Sequence, residues 1–212
     1  MKLTALPLSD LLAAFRSSEP TPGGGSASAL SGAVGASLLA MVAGLPRPKG
    51  SNETELRRLA EVGSRCSALA VQLEAMIDED SAAYDLVVGA FRMPKGTGEE
   101  KAARVAGIQQ ALRTATEVPL QVMRRCAEAL GAAPVVAALG NPNASSDVQV
   151  AVGLLSAGLH GAHQNVEINL GSLKDADYVA RVRQEVETLV NRQSLNRQSA
   201  IPDPPPPINE SA

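Results

Sequence analysis

The sequence predicts an all-α fold: a single-domain bundle of long helices with a Gly-rich loop near its start. Three observations carry that prediction. Of 212 residues, 45% are apolar but only 2% are aromatic, namely Phe15, Phe91, Tyr84 and Tyr178, with no Trp. Ala, Val and Leu therefore carry the apolar share; Ala and Leu are strong helix formers, whereas a sandwich would draw on aromatic and β-branched strand residues. Apolar residues also recur at three- and four-residue spacing, and no segment alternates with period two for long enough to be a strand. Finally, Gly- and Pro-rich breaks cut the chain into helix-length pieces. A chain of this length can bury a real core in one domain.

The elements follow in order. Ser9 to Phe15 reads as a short helix with Ser9 or Asp10 near its N-cap. Pro20-Thr21-Pro22-Gly23-Gly24-Gly25-Ser26 breaks the chain, and a small-residue helix follows to about Leu45. Gly32 and Gly35 inside it each cost roughly 1 kcal/mol of helix propensity, which predicts close approach of another helix there. Pro46, Pro48 and Gly50 form the next break, and Ser51 to Glu55 reads as a capped start. The helix behind it runs to about Arg92, with an apolar stripe of Leu69, Leu73, Ile77, Tyr84, Val87 and Phe91. Thr97 caps a further helix that runs to about Leu130 with a kink at Pro119, and Ala133 to Leu139 is a short apolar segment. Helices are expected again from about Ser146 to Leu170 and from about Asp175 to Leu195. The run Ile201-Pro202-Asp203-Pro204-Pro205-Pro206-Pro207 cannot form helix or ladder. The expected organisation is a helical domain over 1–198 and a disordered Pro-rich tail over 199–212.

Composition narrows the function. With 19 basic and 22 acidic residues the net charge is −3. That is no footprint for nucleic acid, and the aromatic shortage removes the usual base-stacking platform. Ala27 to Leu45 approaches the length of a membrane span, but its Ser and Gly residues argue for a buried helix, so no membrane partner is expected. Met1 to Pro7 does not read as a signal peptide. Cys66 and Cys126 sit in helical patterns as buried thiols, no Cys/His spacing suits zinc, and the expected location is cytoplasmic.

Four places can carry chemistry. Gly23, Gly24, Gly25 and Ser26 precede a helix start, where free N–H groups and the positive dipole end suit a carboxylate, a phosphate or a developing oxyanion. The same loop also reads as a turn that lets two helices cross tightly. Asp80 lies on the apolar stripe beside Asp78 and Glu79. Apolar surroundings and like charges would raise its pKa and fit it for proton transfer, whereas a boundary Asp would merely pair or hydrate. Lys95, between two long helices, could meet an anionic substrate or simply be solvated. Asn143 to Asp147 begins a helix on which Asp147, Ala151, Leu154, Gly158, Gly161, Asn165 and Asn169 fall near one face. That strip offers room for a flat polar ligand, or else a helix–helix seam with the amides fixing register. His160 and His163 lack a third ligand and read as surface or subunit-contact residues.

Taken together and in order, these stretches resemble the cyclodeaminase/cyclohydrolase family, which comprises the C-terminal domain of formiminotransferase-cyclodeaminase and stand-alone bacterial methenyltetrahydrofolate cyclohydrolases. The matching residues are Pro20 to Ser26 with Gly32 to Ala36 and Met41-Val42; Asp78-Glu79-Asp80 with Tyr84; Pro94-Lys95 with Glu99-Glu100-Lys101 and Arg104; Pro119-Leu120; and Asn143 to Asp147 with Gly161-Ala162, Asn165-Val166 and Ile168-Asn169-Leu170. The resemblance spans about residues 3 to 195. It implies an all-helical, cytoplasmic homodimer that binds tetrahydrofolate derivatives and needs no metal and no cofactor beyond that substrate.

It also implies one of two reactions. A cyclohydrolase opens 5,10-methenyltetrahydrofolate to 10-formyltetrahydrofolate with water. A cyclodeaminase closes 5-formiminotetrahydrofolate to the methenyl compound and releases ammonia. The absence of a transferase domain from this sequence leans the expectation toward the cyclohydrolase. Asp80 is then the proton-transfer group and Lys95 the charge stabiliser or folate-positioning group. Gly23, Gly24, Gly25 and Ser26 bind the folate carboxylates or formyl oxygen. Asp147 takes the pterin edge, with Asn143, Asn165 and Asn169 completing the substrate site. A non-catalytic folate-binding or helical dimerisation module is the reading from outside enzymology.

Overall fold

The computed structural model describes residues 2–46 and 52–200, with side chains to residue 192. The break at Pro48 and Gly50, the start at Ser51 and the Pro-rich segment from Ile201 lie outside the described residues. Among those described there is no strand. The helices are α1 (Leu8–Phe15), α2 (Gly24–Gly44), α3 (Glu53–Phe91), α4 (Gly98–Leu139), α5 (Ser145–Leu170) and α6 (Ala176–Ala200), with 3₁₀ turns at Leu3–Ala5 and Pro142–Ala144.

Local chemistry explains most of the boundaries. Asn52 accepts a hydrogen bond from the Glu55 N–H and so caps α3. Thr97 and Glu100 form a reciprocal capping box that starts α4. The expected cap of α1 is corrected. Pro7 holds that position, its carbonyl accepting from the N–H groups of Asp10 and Leu11, and Ser9 and Asp10 lie in the first turn.

The second correction concerns α4. It is a single helix through both Pro119 and Pro134, where the sequence suggested a helix ending near Leu130 and a separate apolar piece. Proline at 119 brings no N–H, so the carbonyl of Ala115 loses its intrahelical donor. The Asn169 side-chain amide on α5 donates to that carbonyl at 2.8 Å. The neighbouring helix thus supplies the bond that proline removes.

The core is built around α2, which is apolar and long enough to cross a membrane, yet half buried between the other helices. Small residues let the backbones meet. A Cβ at Gly35 would stand 2.8 Å from Leu155 Cγ and 2.9 Å from the Ala151 carbonyl of α5. A Cβ at Gly158 of α5 would stand 2.7 Å from the Ser28 carbonyl of α2. Ser31 Oγ donates across the same seam to the Leu154 carbonyl at 2.8 Å. The strip of small residues on α5 is therefore a seam against α2; the room for a flat ligand expected along it is taken by a helix.

α3 and α4 close the other sides, and α6 is tied to α4 through Arg124, which donates to both carboxylate oxygens of Glu185 at 2.6 and 2.8 Å. Cys66 and Cys126 are free and buried, as expected. Burial, aided by Glu128, pushes the Cys66 thiol up to about 11. Burial pushes Cys126 up to about 12. The apolar stripe of α3 holds only through Ile77. Tyr84 and Phe91 are exposed, while Ala83 and Ala90 are buried. The buried line runs Leu69, Met76, Ala83, Ala90, a seven-residue repeat that keeps one seam over a long helix.

Candidate active site

Gly23 is extended and brings no side chain to cap α2. The first N–H groups of α2 therefore remain open to an acceptor from elsewhere. Asp80, 27 residues into the 39-residue α3, supplies it. Its Oδ2 accepts from the Ser26 N–H at 2.8 Å and from Ser26 Oγ at 3.0 Å. Ser26 Oγ also lies 2.9 Å from the Ile77 carbonyl, which can take its single hydrogen instead. Glycine is required at 25 because a Cβ there would overlap the Asp80 carboxylate. The Gly-rich loop thus allows a tight helix crossing, and the N–H and hydroxyl of Ser26 at its end take a carboxylate that belongs to the protein itself.

The electrostatics sharpen the role of Asp80. Burial raises its carboxyl above the ordinary range, while the hydroxyl and N–H of Ser26 pull it partly back down. The direction agrees with the sequence expectation, but the cause is desolvation, without help from like charges. Asp78 points to the N-terminal segment, accepting from the Leu3 N–H at 2.5 Å and from Thr4 Oγ1 at 2.7 Å, and Glu79 is exposed. Both bonds to Asp80 fall on Oδ2, so among the described residues Oδ1 has no hydrogen-bond donor. The result is a half-buried carboxyl group with one oxygen anchored and the other available.

Asn165 joins this group from α5. Its Nδ2 donates to the Gly161 carbonyl at 2.9 Å and would lie 3.6 Å from a Cβ at Gly24. Gly23, Gly24, Gly25, Ser26, Asp80 and Asn165 therefore converge from three helices. Four other predicted site residues do not join them within the chain. Asn169 is committed to the Ala115 carbonyl. Asn143 and Asp147 sit at the opposite end of α5, and Asp147 is about 27 Å from Asn165 at 1.5 Å per residue. Lys95 is exposed in the loop after α3, whose last residue is about 16 Å along the helix from Asp80. That loop is held locally: Arg104 donates to the Phe91 carbonyl, and the N–H groups of Gly96 and Thr97 donate to Glu100.

His160 is exposed and His163 half-buried, 4.0 Å from Glu167, and no group of three metal-ligating side chains converges among the described residues. Sequence reasoning missed Ser81, whose Oγ lies 3.3 Å from Ser26 Oγ. A serine directly after an aspartate carries no spacing signal that would mark it. It also missed the clamp of Asp78 on Leu3 and Thr4, which joins positions more than seventy residues apart.

Comparison with known proteins bears on this geometry. Residues 7–188 match the formiminotransferase-cyclodeaminase family. The chain is 45% identical over 174 residues to the methenyltetrahydrofolate cyclohydrolase of Methylorubrum extorquens, covering 82% of this chain and 84% of that protein. It is 34% identical to the formimidoyltransferase-cyclodeaminase of Sus scrofa, covering 92% of this chain but only 36% of that longer protein. A crystal structure of formiminotetrahydrofolate cyclodeaminase from Thermotoga maritima superposes with a TM-score of 0.83 at 25% identity, covering 94% of this chain and 96% of that one.

Proposed function

The chain belongs to the formiminotransferase-cyclodeaminase family, and from that premise we propose that it is a tetrahydrofolate one-carbon enzyme, a cyclohydrolase that hydrolyses 5,10-methenyltetrahydrofolate to 10-formyltetrahydrofolate. Its likeness to the Methylorubrum cyclohydrolase, over most of both chains, favours this reaction. The likeness to transferase-cyclodeaminases covers about a third of those proteins and supports the alternative of ring closure with loss of ammonia in second place. The reading requires no cofactor beyond the folate, and it takes the protein as a cytoplasmic homodimer. Support for pairing comes from the outer face of α2, where Val34 and Met41 stand exposed beside Val71 of α3 along an apolar groove of about 610 Å³.

The observation that carries the mechanism is the half-buried Asp80 with its raised pKa and free Oδ1. In the proposed reaction, water adds its oxygen to the methenyl carbon between N5 and N10 and loses a proton to Asp80. The tetrahedral adduct then breaks its bond to N5. Its hydroxyl proton passes to N5 as the formyl C=O forms on N10. Substrate is a cation and product is neutral at these atoms, so each turnover releases one proton. The α2 N-terminus, with its N–H groups and dipole, keeps Asp80 oriented for this transfer. Asn165 and the backbone of Gly23 and Gly24 offer polar groups to the folate.

Replacement of Asp80 by Asn tests the reading. The amide is nearly isosteric and can still accept from Ser26, but it cannot exchange the proton. Loss of methenyltetrahydrofolate absorbance should slow by about 10²–10⁴-fold, the range for a positioned acid–base group, with folate binding retained. Near-normal turnover would remove Asp80 from the mechanism. Ammonia release from the formimino substrate, with no methenyl hydrolysis, would assign the cyclodeaminase reaction instead.

A further inference from the structure

The geometry points to a proton path from Asp80 through Ser26 to Ser81, which opens on a polar cleft beside α3; we propose that Ser81 is the exit of this relay. The inference rests on the reading of Asp80 as the proton-transfer group. Asp80 and Ser81 are consecutive, so their side chains leave α3 about 100° apart. Ser26, fully buried in the first turn of α2, reaches both. Its Oγ is 3.0 Å from Asp80 Oδ2 and 3.3 Å from Ser81 Oγ. Ser81 in turn lines a cleft of about 560 Å³ with Lys2, Thr21, Asp78 and Asp85. Lys2 and Asp85 are exposed, so this cleft is in contact with water.

The reaction gives the path a task. One proton must leave per methenyl group hydrolysed, and Asp80 cannot accept a second until the first has gone. The proton taken up on Oδ1 is brought to face Ser26 by a half-turn of the carboxyl group and passes to Ser26 Oγ. The Ser26 hydrogen moves to Ser81 Oγ, and the Ser81 hydrogen moves to water in the cleft. Each serine oxygen ends with the one hydrogen it began with, and the carboxyl group is again ionised and ready for the next water. Rotation of the two hydroxyls resets the chain. The Ile77 carbonyl, 2.9 Å from Ser26 Oγ, holds the Ser26 hydrogen between transfers.

The test compares Ser81→Ala, Ser81→Thr and Asp80→Asn in the full-length protein, with methenyltetrahydrofolate as substrate. Ser81→Ala should lower kcat about tenfold with KM unchanged, and rising concentrations of a small buffer such as imidazole should restore it in part. Ser81→Thr, which keeps a hydroxyl, should retain most of kcat. A wild-type kcat in Ser81→Ala, or a loss that no buffer relieves and that Ser81→Thr shares, overturns the relay. If Asp80→Asn is inactive in that case, the assignment of Asp80 survives without the relay. If Asp80→Asn turns over normally, the underlying reading fails, and the relay with it.

Discussion

Two helix starts that the sequence marks as places for chemistry, the beginnings of α2 and α5, are treated differently by the fold. At α5 no side chain caps the first turn. Asn141 accepts from the Asn143 N–H and donates to the Pro46 carbonyl, Asn143 is exposed, and Asp147 sits in the first turn. At α2 the N-cap Gly23 supplies no capping side chain, and Asp80 arrives from the middle of another helix to bind the open end. Polar groups at an exposed helix start stay hydrated. A cap from a packed neighbour is desolvated, and desolvation changes the chemistry of its carboxyl group.

Apart from the replacement of Asp80 itself, the largest effect should follow from Gly25→Ala. The added Cβ overlaps the Asp80 carboxylate and must displace it, so kcat should fall by about 10²-fold or more, with Gly23→Ala as a mild control because a Cβ there meets only the Pro20 carbonyl at 3.5 Å. Full activity in Gly25→Ala would end the distinction between the two helix starts. Next is Asn169→Ala, which leaves the Ala115 carbonyl without a donor. It should cost about 1–3 kcal/mol in denaturant unfolding while KM stays unchanged, whereas Asn165→Ala should act mainly on KM.

A third effect is a matter of sign. The Asp80 carboxyl is raised on folding, so its contribution to stability is fully present below its unfolded pKa and is lost as pH rises through the folded one. Melting curves across pH should therefore show Asp80→Asn gaining on the parent protein as pH increases. No trend would mean that the carboxyl is not desolvated. The smallest effect should come from Asp147→Asn, less than about threefold in kcat, as for a locally placed side chain. A hundredfold loss there would show that the far end of α5 meets the Asp80 end across a pair of chains.

Helix starts that depend on neighbouring residues were legible. Thr97 and Glu100, the Gly-rich entry to α2, and Asp80 as a carboxylate on the packed side of α3 all follow from local spacing. What escaped was set by partners distant in sequence. The local pattern ends α4 near Leu130, ahead of Pro134, and nothing near Pro119 indicates that Asn169 will supply the bond that proline removes. The small residues of α5 could equally have lined a cavity, and only the approach of α2 decides that they do not. The stripe through Tyr84 and Phe91 followed residue size, whereas the buried line passes through Ala83 and Ala90, because close packing of a long helix selects small side chains.

The bond from Asn169 to Ala115 also has a bearing on how this sequence can change over generations. Pro119→Ala would return an N–H to the carbonyl of Ala115 and leave the amide with nothing to repair, so Asn169→Ala should be far less harmful in that background than in the parent. The two positions, fifty residues apart, are therefore energetically coupled. A lineage that loses the asparagine first passes through a weakened protein, whereas one that loses the proline first does not.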